Sequence, residues 1–277
     1  MIMRYEKDNM RFISMIITLV LFLLFLATTG FAQSPGTWEL GLEVANIQYE
    51  EPGFMEEDGP MSGVCVSYTS PRKDNTSMLR IEGRYAVAQM DYTSNGSGTM
   101  DGIDDYLYEL RGLFGRDFRL KSGAVLTPYV GLGYRYLNDD SSGKTTSTGH
   151  GGYEREANYF YSPIGIEVMR DSGKVWSWGL MVEYDIFWYG VQKSHLSDVG
   201  PGYEDAENDQ DSGYGIRGSI KLLRKGKNLN LLIEPYVRYW DIDQSDTTTI
   251  SVSGSSVGII EPANNSTEIG LKIAMTF

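Results

Sequence analysis

Imidazoles and thiols are scarce in this chain: His150 and His195 are its two histidines, and Cys65 is its one cysteine. An imidazole held against a carboxylate can take a proton from water. His195, with Asp185 upstream and Asp198 just downstream, is where the spacing offers such a base. The pair His195 and Asp185 is the one catalytic alternative, and it is weakly specified. Lys193 and Ser194 precede His195, so no Asp-x-His exists. Ser194 and His195 face apart in an extended backbone, as do Asp104 and Asp105, and Asp139 and Asp140. Gly131 and Gly133 lie within a strand-like run rather than opening a helix, and no cofactor motif is present. Nothing specifies an enzyme.

Acids are more plentiful. Asp205, Glu207, Asp209 and Asp211 alternate with other residues in the oxygen-rich spacing of a calcium loop, though the bidentate Glu that completes such a loop is missing. They are the one metal-site alternative. Glu56, Glu57 and Asp58 form a second acidic cluster. The chain carries 24 Lys+Arg against 37 Asp+Glu, a net charge of −13. Nucleic-acid binding needs basic patches and is excluded. A single cysteine also excludes an intramolecular disulfide and a thiolate metal site.

Residues 13–27 form an apolar run preceded by Arg4, Lys7 and Arg11 and followed by Gly30-Phe31-Ala32, the pattern of an export signal. Cleavage after Ala32 divides the chain into a signal peptide, 1–32, and one domain, 33–277. It leaves 21 Lys+Arg against 35 Asp+Glu, a net charge near −14. Downstream, no apolar run approaches the ~20 residues of a membrane helix. Spanning would have to be done by strands.

Ten strand candidates follow, at roughly 37–50, 60–70, 77–93, 103–117, 123–138, 155–170, 174–191, 213–224, 229–241 and 265–277. They are longer than the ~5–6 residues usual in soluble sheets. Alternation is sharp: Trp176, Trp178, Leu180, Val182, Tyr184, Ile186 and Trp188 share one face, as do Trp38, Leu40, Leu42 and Val44. Pro128, Pro163 and Pro235 are blemishes, because each loses a ladder hydrogen bond. The opposite faces carry Glu39, Glu43, Arg80, Glu82, Arg84, Glu109, Arg111, Arg135, Glu167, Glu183, Asp185, Arg217, Lys221, Glu234, Arg238, Glu268 and Lys272. Nine acids against eight bases suit a narrow lumen, where confined charges must be paired. Gly41, Gly131, Gly133, Gly165 and Gly179 relieve crowding there. Lys272 and Glu268 should sit near Glu39 or Glu43.

The connections alternate. Those at 71–77, 116–123, 170–174 and 224–228 are short and basic, whereas those near 51–59, 94–102, 139–154, 192–212 and 242–264 are longer and acidic. Short turns on one side and long loops on the other is the outer-membrane arrangement. The fold class expected is an all-β, transmembrane, antiparallel up-and-down β-barrel of ten strands, or of eight or twelve if hairpins merge or split.

The last residues, Leu271, Ile273, Met275 and terminal Phe277, share one strand face. This ending, the strand vocabulary of 127–137 and 159–167 and the export signal resemble Gram-negative outer-membrane β-barrel proteins. The resemblance covers nearly the whole mature chain. It implies localisation in the cell outer membrane, with Leu271, Ile273, Met275 and Phe277 as the assembly signal. It also implies lipid, lipopolysaccharide and barrel-assembly machinery as partners, with divalent cations at the acidic loops, and a monomeric state. Ten strands with acidic loops are similar to the omptin proteases, but the omptin catalytic pattern is missing. The expected role is structural or ligand-binding through the loops. A hydrolase at the barrel mouth and a narrow solute pore are the alternatives.

Overall fold

The computed structural model describes residues 36–70 and 77–277. The strands are β1 (Thr37–Glu51), β2 (Met55–Thr69), β3 (Ser77–Ser94), β4 (Gly98–Arg116), β5 (Phe118–Arg119), β6 (Val125–Asp140), β7 (Glu154–Ser172), β8 (Trp176–Ser194), β9 (Ala206–Gln210), β10 (Gly213–Arg224), β11 (Asn230–Ile242), β12 (Thr248–Val252), β13 (Ser255–Ile259) and β14 (Asn264–Thr276). Ten long strands, β1–β4, β6–β8, β10, β11 and β14, pair antiparallel with their neighbours in sequence, and β14 returns to β1. At the seam Leu42 pairs with Ile273, the Trp38 amide donates to the Phe277 carbonyl at 2.8 Å, and the Phe277 amide donates back at 3.0 Å. Closure satisfies the backbone groups that lipid could not. β5 and β9 extend β6 and β8, while β12 and β13 form a separate hairpin.

Leu42, Leu132, Val182 and Ile269 are between 64 % and 71 % exposed on the outer wall. So broad an apolar band has no place in water. Trp38, Tyr68 and Trp176 fringe it at the short-turn end, and Tyr134, Trp188 and Tyr239 toward the long-loop end, as membrane-interface aromatics do. This is a transmembrane barrel.

Beyond the second fringe the strands continue and their alternation changes phase. On β1, Leu42 and Val44 face out, but higher up Ile47 is buried inside while Asn46 is exposed. On β3, Leu79 and Ile81 face out lower down, whereas Met90 is fully buried above and Gln89 and Asp91 are exposed. On β11, Val237 faces out, while Trp240 and Ile242 are buried inside. The outer wall there meets water instead of lipid, so polar residues move out and apolar ones in. We call this part the collar.

The collar corrects two of the expected loops. The stretches 51–59 and 94–102 are mostly strand, with turns only at 52–54 and 95–97. Glu56, Glu57 and Asp58 therefore lie on β2, where Glu56 pairs with Glu50 and Glu57 with Tyr49. Gly53, at φ 87°, lets the first turn close this tightly. Pro128, Pro163 and Pro235 are held within β6, β7 and β11. The export signal and the turn bearing Arg72, Lys73 and Asp74 lie outside the described residues.

Inside, the lumen is layered. A cavity of about 460 Å³, lined by Glu39, Arg80 and Lys272 among others, opens at the short-turn end. Above it lies a charged layer, and then an apolar layer including Ile47, Met90, Ile103, Trp240 and Ile242. Rings fill the space left by glycines: a Cβ at Gly133 would fall on the Tyr161 ring, and one at Gly165 on the Tyr129 ring. Tyr161, Arg135 and Glu268 are each 1 % exposed at mid-lumen. The lumen is filled there.

Candidate functional site

Ion pairs at separations of 4.0 Å or less thread all seventeen lumen charges into two networks. The smaller joins Arg84 and Arg238 to Glu43 and Glu268, with Arg135 on Glu268 at 3.3 Å. The larger runs Glu39–Lys272–Glu234–Lys221–Glu167–Arg80–Glu82–Arg111–Glu183–Arg217 and ends on Asp185 and Glu109. Arg111 grips Glu183 with two bonds, at 2.8 and 2.6 Å, and Tyr129 donates to the same carboxylate at 2.7 Å. The Arg217 guanidinium lies 5.4 Å from the Tyr161 ring and 5.7 Å from the Trp240 ring. With nearly every charge matched, this layer is built to be stable when buried.

The long-loop mouth is different. Strand alternation turns Glu51 (β1), Glu57 (β2), Asp105 (β4), Asp139 (β6) and Arg155 (β7) inward, and the segment after β13 adds Glu261. Register sets Asp105 directly opposite Asp139. Arg155 donates to Asp139 at 2.8 Å, to Glu51 at 2.9 Å and to both oxygens of Glu57 at 3.1 Å, and it stacks 5.5 Å from the Tyr49 ring. Tyr49 donates to Glu51 at 3.2 Å and to Glu261 at 3.4 Å. Five carboxyls thus gather around one guanidinium, which bonds three of them. Burial, reinforced by Asp139 and Glu51, pushes the Glu57 carboxyl up to about 8 despite Arg155. Burial and Glu51 likewise push Glu261 up to about 8, and burial with Asp139 raises Asp105 well above the carboxylate range. One oxygen of Asp105 and one of Asp139 are buried without a hydrogen-bond partner. A cavity of about 610 Å³ lies over this floor, lined by Glu51, Glu57, Asp139, Arg155 and Glu261 among others. Chemically, the arrangement is an excess of carboxyl groups over positive charge.

Two expected constellations do not form. Asp185 is fully buried at mid-lumen, 2.6 Å from Arg217, whereas His195 stands past the outer end of β8, roughly 30 Å along the strand. His195 meets Glu156 and Asp205 instead. The calcium spacing fails too, because Ala206–Gln210 is a strand and not a loop. Its i, i+2 periodicity sets successive carboxylates roughly 7 Å apart. Asp205 accepts from the Ser197 amide, Glu207 pairs with Lys193 at 3.4 Å, and Asp209 accepts from the Tyr189 hydroxyl at 2.6 Å. Asp211 follows, exposed. At the seam, Leu271, Ile273 and Met275 face outward and Phe277 closes the ladder against Trp38.

Arg155 and Glu261 were not marked in the sequence, and Asp105 and Asp139 stood out only as members of adjacent acidic pairs. For Arg155, Asp105 and Asp139 the signal was the phase change, since their inward strand neighbours Ala157, Ile103 and Leu137 are apolar, whereas Glu261 lies between strands.

No family model matches the chain, and no curated protein matches it. Among solved structures, it is similar to the outer membrane protease OmpT from Escherichia coli, with TM-score 0.51 and 9 % identity over 90 % of this chain and 99 % of that one. The translocator domain of the autotransporter NalP from Neisseria meningitidis matches at TM-score 0.41 and 9 % identity, over 98 % and 97 % of the two chains. The toluene transporter TodX from P. putida matches at TM-score 0.34 and 11 % identity, over 89 % and 90 %. The likeness to the first of these concerns the fold alone. With the closed ten-stranded ladder and the apolar outer band, the class is a ten-stranded outer-membrane β-barrel.

Proposed function

We propose that the barrel is a sealed surface receptor whose long-loop mouth, facing the exterior, captures a ligand bearing an amine or guanidinium group. The observation that carries this reading is the mouth itself, where Glu51, Glu57, Asp139 and Glu261 line a cavity of about 610 Å³ with Arg155 among them. Low-dielectric walls focus such a field and draw cations in. A bound cation would meet Glu51 and Asp139 and replace the protons that burial holds on Glu57 and Glu261. The buried layers below the mouth favour capture over passage.

Calorimetric titration of the folded protein in detergent micelles with spermidine tests this. Saturable one-site binding is expected, weakened at least tenfold by Glu51→Gln with Asp139→Asn, as expected when a charge-assisted contact of about 1.5–3 kcal/mol is lost. Absence of saturable binding to the wild type, or equal binding to the double variant, overturns the reading.

A further inference from the structure

We propose that Glu154, Glu156 and His195 form a binding site for a zinc-type divalent metal ion on the outer wall of the collar. Arg155 points into the mouth, so its neighbours Glu154 and Glu156 share the opposite face of β7. The His195 amide donates to the Glu154 carbonyl at 2.9 Å, which continues the β7–β8 ladder and brings the imidazole level with the two carboxylates. Among the described residues these three are the one group able to converge on an ion, with ligand atoms within 4.8 Å of one another. A tetrahedral zinc ion with bonds of ~2.0–2.2 Å holds its ligand atoms roughly 3.4 Å apart. Closing the set therefore needs a movement of about 1 Å by half-buried glutamate arms, comparable to an ordinary side-chain adjustment.

The surroundings orient each ligand. His195 Nε2 lies 2.9 Å from Glu156 Oε1, so it is aimed at the carboxylates, while Nδ1 faces Asp205 Oδ2 at 3.5 Å. Asp205 is itself fixed by the Ser197 amide at 3.0 Å. A carboxylate behind the far nitrogen of a histidine is the usual outer support of a zinc-binding imidazole. Asn138 donates to Glu154 at 2.6 Å. The nearest cation, Lys193, opposes Glu156 in register but spends its charge on Glu207. One imidazole nitrogen with two carboxylates suits zinc and its neighbours rather than calcium or magnesium, which take all-oxygen sets. Metal binding displaces the proton that His195 shares with Glu156. The fourth position faces outward, open to water or an anionic headgroup.

The test uses full-length, tag-free protein folded in micelles and stripped with chelator, then titrated with zinc sulfate by calorimetry. One equivalent is expected to bind, with affinity at least tenfold weaker in His195→Gln and in Glu154→Gln with Glu156→Gln. Asp205→Asn should weaken binding by roughly tenfold through the imidazole, and Asp211→Asn, at an exposed acid on the same segment, should leave it unchanged. In the wild type, saturating zinc should protect His195 from diethyl pyrocarbonate, which keeps the test valid if a variant misfolds. Equal zinc affinity in His195→Gln, or unprotected His195 in saturating zinc, overturns the proposal.

Discussion

Arg155 is the residue on which the mouth depends, because its guanidinium is shared by Asp139, Glu51 and Glu57. Glu57 shows what that shortage of positive charge does to pH response. Its folded pKa of about 8 lies well above the ~4.3 of an unfolded chain, so the folded state holds the proton more tightly. A group raised in this way contributes stability that is complete below its unfolded pKa and lost as pH rises through its folded value. Glu261 acts over the same window. The thermal midpoint of the folded protein in micelles should therefore fall between about pH 5 and pH 9, and Glu57→Gln should flatten that fall. An unchanged slope in Glu57→Gln would contradict the assignment.

Each strand of this barrel serves two environments, and its alternation inverts where one gives way to the other. Leu132 on β6 faces lipid at 71 % exposure, while Asn46 on β1 faces water from the same wall, above Val44. A basic residue at mid-membrane costs roughly 2–4 kcal/mol, whereas an ordinary surface change stays within about 0.5 kcal/mol. Val182→Arg, midway between Trp176 and Trp188 on β8, should lose stability of the first size and Asn46→Arg of the second, measured by urea unfolding from lipid vesicles. Equal losses would place the lipid boundary elsewhere. The same inversion explains why the collar was hard to read in the sequence. The spans 55–59 and 98–102 keep their backbone ladders but lose the outward apolar residues by which strands were found.

At the level of the whole barrel, closure and filling decide what can pass. Ten strands enclose a narrow lumen, and here Tyr161, Trp240, Arg135 and Glu268 occupy it with exposures of 1–2 %. Matched ion pairs hold the charged layer in place, and the apolar layer above it excludes water from the middle. The folded protein should therefore carry no steady current in planar bilayers. Stable conductance steps would show that the filled layers open.

Much of this was legible in one dimension. Period-two alternation and sorted connections pointed to a barrel of ten strands, give or take two, because a chain crossing lipid must hide its backbone and show apolar side chains on a fixed period. The inward positions of Glu43, Arg84, Arg217 and Glu268 followed from the same parity. Which charges meet did not, because parity gives a face but not a partner. Arg84 meets Glu268 from a strand 184 residues away, and Arg155 meets Glu51 from one 104 residues away. The pairing of His195 with Glu156, and its distance from Asp185, were likewise set by register and strand length. The sequence determined the medium each residue faces; only closure of the barrel decided which residues face each other.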